Sequence, residues 1–69
     1  MLREPVESST LASVGYSKQT STLELEFKTG SVYRYFAVPA SVIELLMKAE
    51  SKGAFFHKSI KDSYPYARG

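Results

Sequence analysis

The stretch TLELEFKTGSVYRYF, Thr22 to Phe36, limits what this chain can fold into more than any other. Leu23, Leu25 and Phe27 alternate with Glu24, Glu26 and Lys28. An extended chain therefore carries an apolar row on one face and charges on the other. SVYRYFAV, rich in β-branched and aromatic residues, reads as the next strand. Between them lies Lys28-Thr29-Gly30. A three-residue hairpin loop fits here, because its last position takes the left-handed conformation that glycine adopts at low cost. Phe27 then opposes Ser31, Leu25 opposes Tyr33 and Leu23 opposes Tyr35. On the other face Glu26 meets Val32 and Glu24 meets Arg34, an opposite-charge pair contributing about 0.2–1 kcal/mol. The competing two-residue loop, Thr29-Gly30, sets Arg34 against Leu25 in the core. Burying an unpaired guanidinium costs more than any turn preference. Tyr33 and Tyr35 are thus expected to point inward, as packing residues more than as a stacking platform, with Arg34 and Phe36 the more exposed members of the run.

The flanks complete the outline. TLASVGYS is expected as the preceding strand, with Gly15 marking a bulge or a close backbone approach. Near Pro39 the apolar period changes from two to helical. Pro39 ends the third strand and suits the first turn of a helix. Val42, Leu45, Leu46 and Ala49 form one apolar stripe, widened by Ile43 and Met47. Ser51 is placed to cap a second helix, KGAFFHKSIK, anchored by Phe56 and Ile60. Pro65 prevents helix continuation, so the tail DSYPYARG is expected to be irregular. The fold implied is α+β: a three-stranded antiparallel β-meander followed by two helices packed on one sheet face (β-β-β-α-α), in a single domain over 1–69. The other face is left toward water or a partner.

Composition narrows the function. A 69-residue domain buries only ~60% of the surface its unfolded chain exposes. Without cysteine it has neither disulfides nor cysteine zinc ligands. No apolar run approaches ~20 residues and the first ten residues carry charges and a proline, so a cytoplasmic protein without a membrane partner is expected. One histidine and scattered carboxylates give no metal site, and no cofactor is expected. His57 reads as a surface residue; no nucleophile motif surrounds Ser8, Ser9 or Ser13, and Ser8 and Ser9 are expected to bond the backbone. A small hydrolase-like enzyme is accordingly the remotest reading, and no catalytic residue is assigned.

Nine basic residues against seven acidic ones give a net charge of +2, too little to demand a polyanionic partner. The distribution is uneven: Lys52, Lys58, Lys61 and Arg68 face Asp62 alone in the last eighteen residues. HKSIKDSYPYARG interleaves these bases with Tyr64 and Tyr66, the chemistry of single-stranded nucleic-acid binding. Equally, Tyr64 could fold back onto the sheet and Tyr66 shield its edge. Ser51-Lys52-Gly53 opens a helix where an anion could bind, although capping explains the segment more simply.

VESSTLASVGY, LELEFKTGSVYRYFAVP and SKGAFFHKSIKDSYPY together resemble the KTSC domain. Its central mark is the Tyr-x-Tyr element, here Tyr33-Arg34-Tyr35, preceded by Gly30 and followed by Val38-Pro39. The resemblance covers about Val6 to Arg68. It implies a small domain found at the C-terminus of some lysyl-tRNA synthetases and as free-standing bacterial or phage proteins. It implies no catalytic activity, and it brings with it the idea of RNA binding. The family pattern often has asparagine where this chain has His57, so no role for an amide carries over. Two functions follow as expectations. The first is an RNA- or nucleic-acid-binding module, with Arg34, Lys52, Lys58, Lys61 and Arg68 on phosphate and Phe36, Tyr64 or Tyr66 stacking. The second is a protein-interaction module that docks a partner or a second copy on the open sheet face, motivated by Val32 and Phe36.

Overall fold

A computed structural model describes residues 3–69, so residues 1 and 2 of the expected domain lie outside it. The chain forms β1 (Arg3–Pro5), β2 (Leu11–Ser17), β3 (Thr22–Phe27), β4 (Val32–Tyr35), α1 (Ala40–Lys48), α2 (Lys52–Ser59) and β5 (Tyr66–Arg68). The strands make one antiparallel sheet in the order β1-β2-β3-β4-β5. The class is α+β with two helices on the sheet, as the sequence implies. The strand count is corrected from three to five: short strands extend the meander at both edges. The tail expected to be irregular supplies one of them.

The hairpin follows from its loop. Gly30 has φ +96°, and Phe27 N–H donates to the Ser31 carbonyl at 2.9 Å. Leu23 pairs with Tyr35, Glu24 with Arg34, Leu25 with Tyr33 and Glu26 with Val32. The inward face thus carries Leu23, Leu25, Tyr33 and Tyr35. With Leu11, Val14, Val38, Leu46, Phe56 and Ile60 these make the core, in which Tyr33 is half-buried and the others are buried.

A bulge interrupts β2 between Leu11 and Ser13 rather than at Gly15. Gly15 lies in regular register between Arg3 and Glu24. β1 and β3 are about 10 Å apart, two strand spacings, yet Arg3 Nε approaches Glu24 Oε1 to 3.3 Å. The ion pair spans β2 directly above residue 15, where any Cβ would rise. Arg34 Nε donates to the other Glu24 oxygen at 3.0 Å. The outer sheet face is therefore a polar, ion-paired surface, extended by the Ser13 hydroxyl donating to Glu26 at 2.9 Å.

Ala37 turns the chain out of β4 with φ +60°, and Val38 N–H donates to the Ser21 carbonyl. That turn buries Val38, whose carbonyl accepts the Tyr16 hydroxyl at 2.6 Å. Pro39 caps α1. Leu46 is the buried residue of α1, flanked by half-buried Val42 and Ile43, while Leu45 is 57% exposed. The stripe is corrected accordingly: apolar side chains surround this helix, and docking selects the side centred on Leu46. Ser51 Oγ accepts the Ala54 N–H at 3.2 Å and caps α2. Gly53 is buried so closely against Thr10 that an added Cβ would lie 2.7 Å from its hydroxyl oxygen.

Candidate functional site

Alternation along β4 puts Tyr33 and Tyr35 on the same face, and pairing with β5 sets Tyr66 beside Tyr35 and Arg68 beside Tyr33. The end of β3 contributes Phe27, and α2 lowers Phe56 onto the same patch. The five rings close a circuit: Phe27–Tyr33 5.6 Å, Tyr33–Tyr66 5.7 Å, Tyr66–Tyr35 5.5 Å, Tyr35–Phe56 5.5 Å and Phe56–Phe27 5.4 Å between centroids. The contacts of the two phenylalanines with each other and with Tyr33 and Tyr35 are edge-to-face; those of Tyr66 are tilted. Each such pair adds about 0.5–1.5 kcal/mol beyond its buried area.

The circuit is the floor of an open groove of about 530 Å³. Helix α2 borders the groove through Phe56 and His57, and Phe56 is buried there. Tyr66 is 58% exposed, Tyr33 and Phe27 are half-buried, and Tyr35 is 3% exposed. Lys28, His57, Lys61 and Asp62 line the walls, with Ser9 and Thr10 from the segment entering β2. Arg68 holds its guanidinium 5.8 Å from the Tyr33 ring centre and donates to Ser31 Oγ at 3.1 Å. Lys28 and Lys61, with Arg68 at the edge over Tyr33, thus stand against one acidic side chain, Asp62. Burial, then the Tyr66 and Tyr33 phenols and the Asp62 carboxylate, hold the Tyr35 phenol above its ordinary value of 10.0.

The structure divides the residues singled out in the sequence. Lys61 and Tyr66 line the groove, and Arg68 lies over Tyr33 at its edge. Arg34 is on the opposite sheet face, bound to Glu24. Lys52 Nζ reaches the Ala49 carbonyl at 3.4 Å, and Lys58 is exposed on α2 outside the groove. Tyr64 packs half-buried against the core. Phe36 is 38% exposed beyond the groove, and Val32 is half-buried. Gly30, Tyr33, Tyr35 and Pro39 hold the hairpin, the core and the start of α1. Missed altogether were Phe27, Lys28, Phe56, His57 and Asp62 as groove residues. Reading Tyr66-Ala67-Arg68 as an alternating strand was the available signal, since it returns Tyr66 and Arg68 to the face of Tyr35 and Tyr33.

Ser8 Oγ accepts the backbone N–H groups of Thr10 and Leu11, the local bonding expected of it. Among the described residues no hydrogen bond joins His57 to Ser9, and no group of three or more His, Cys, Asp or Glu side chains gathers as metal ligands would. No described helix is long and apolar enough to cross a membrane.

Comparison with known proteins adds the lineage. The family model described as "KTSC domain" matches residues 7–64. A lysine–tRNA ligase of Nostoc sp. is 48% identical over 60 residues, which are 87% of this chain and 11% of that protein. The chain therefore spans about a tenth of the length of the ligases it matches. An uncharacterized protein of Stutzerimonas stutzeri is 41% identical, with 93% of this chain and 90% of that one covered. The crystal structure of a KTSC domain protein from Yersinia pestis superposes with a TM-score of 0.96 at 35% identity, covering 99% of this chain and 96% of that one. Family model, free-standing relative and solved fold agree: this chain belongs to the KTSC domain family.

Proposed function

We propose that this domain is a small non-catalytic module that binds RNA in the aromatic groove. The observation carrying this reading is the joint presence of accessible rings and bases on one surface: Tyr33, Tyr66 and Phe27 for stacking, Lys28, Lys61 and Arg68 for phosphate. Stacking on aromatic faces contributes about 1–3 kcal/mol per base and tolerates sequence, while cations track the backbone. The occurrence of related segments within lysine–tRNA ligases is consistent with an RNA partner. A protein-docking role has Phe36, Leu45 and Met47 as exposed apolar residues, but the outer sheet face offers it an ion-paired surface instead of an apolar one.

Fluorescence polarisation with labelled single-stranded RNA tests the proposal. Three phosphate contacts predict a log–log salt slope of about −2. Lys61→Ala and Arg68→Ala should each flatten that slope by somewhat less than one, and Tyr66→Ala should weaken binding by about 1–3 kcal/mol. Arg34→Ala, on the far face, should leave binding unchanged. Absence of binding at low salt, or indifference to Lys61 and Arg68, overturns the proposal.

A further inference from the structure

Asp62 is the groove's exception. A carboxylate in a groove that also carries Lys61 and Lys28 weakens attraction for a phosphate backbone, so general electrostatic affinity gives it no role. Among the described residues it forms no ion pair with those bases. It is exposed and lines the same groove as the five rings. An ionised carboxylate only accepts hydrogen bonds. Facing a base stacked on the rings, it therefore selects edges that present N–H donors.

We infer that Asp62 reads the identity of an unpaired base in the groove, favouring guanine and rejecting uracil. This rests on the proposed RNA-binding role. Guanine presents its ring N–H and exocyclic amino group side by side, matching both carboxylate oxygens. Adenine and cytosine each present one amino group next to a ring acceptor. Uracil flanks its single N–H with two carbonyls, which the carboxylate repels. Duplex RNA is excluded, because its bases expose neither a face to the rings nor this edge to Asp62. The same rings do not suit a methylammonium ligand. Lys28 and Lys61 line the groove with them and Arg68 lies over Tyr33, so a further cation is repelled.

The test uses the full chain and four labelled pentaribonucleotides, uridines throughout except for a central G, A, C or U. The G oligomer should bind about tenfold more tightly than the U oligomer, within the range of a good bidentate contact. A and C should fall between. Asp62→Asn, which both donates and accepts, should bring the G and U oligomers within about twofold, mainly by tightening U. Asp62 is exposed, and an unchanged melting temperature verifies that the variant folds. Equal binding of all four oligomers, or an equal effect of Asp62→Asn on each, overturns the inference while leaving RNA binding intact. If no oligomer binds even at low salt, the RNA-binding role falls first and base reading falls with it.

Discussion

Arg34 and Tyr35 are chain neighbours with opposite surroundings, because successive residues of a strand face opposite ways. Arg34 closes the ion-paired row with Arg3 and Glu24, and Tyr35 closes the aromatic circuit. Each makes a separate prediction. The Tyr35 phenol is held above its ordinary value in the folded chain, so the folded state binds that proton more tightly than the unfolded state does. The resulting stabilisation is complete below pH ~10 and is lost as pH rises through the folded-state value. Thermal melts from pH ~9 to ~11 should therefore fall off more steeply for the native chain than for Tyr35→Phe; equal slopes would remove Tyr35 from the alkaline transition. On the other face, Gly15→Val raises a side chain beneath the Arg3–Glu24 pair. Valine ordinarily favours strands, yet here a loss of about 1–2 kcal/mol is expected. That corresponds to a melting temperature lower by roughly 4–8 °C per kcal/mol. An unchanged or higher melting temperature would show that the pair adapts.

The elements differ in how far side chains alone specify them. β2, β3 and β4 were legible because apolar alternation, one glycine loop and one unburiable arginine fix both their existence and their register. β1 and β5 were not. Arg3-Glu4-Pro5 and Tyr66-Ala67-Arg68 are three-residue strands with no buried side chain, recruited by the backbone groups that β2 and β4 leave open. The groove was half legible for the same reason. Inward tyrosines followed from the register, but whether helices covered them depended on where α2 landed and on β5 forming. Ala67→Pro tests the contribution of β5 without altering a groove side chain. The bonds from Phe36 N–H to Pro65 and from Gly69 N–H to Val32 set the ladder so that Ala67 N–H points at Arg34. Proline removes that donor, at about 1–2 kcal/mol. Amide exchange should accelerate at Phe36 and Gly69 while Leu23 and Leu25 stay protected, and RNA affinity should fall. Retained protection at Phe36 would mean β5 holds without its central bond.

At the scale of the molecule the radius of gyration is 10.6 Å, against the ~11 Å of a compact domain of this length. Its two sheet faces are chemically distinct: ion-paired and closed on the outside, aromatic and partly open on the inside. The basic residues of the sequence are correspondingly dispersed. Arg34 belongs to the outer face, Lys58 to the solvent side of α2, Lys61 and Lys28 to the groove, and Arg68 to its edge over Tyr33. A net charge of +2 thus understates the local field where the rings are accessible. The aromatic circuit also gives the molecule an optical identity. The chain has no tryptophan, and three of its five tyrosines, Tyr33, Tyr35 and Tyr66, lie in that groove. Its near-ultraviolet emission therefore comes largely from the proposed site, and a base settling on these rings would dim the protein's own light with no label attached.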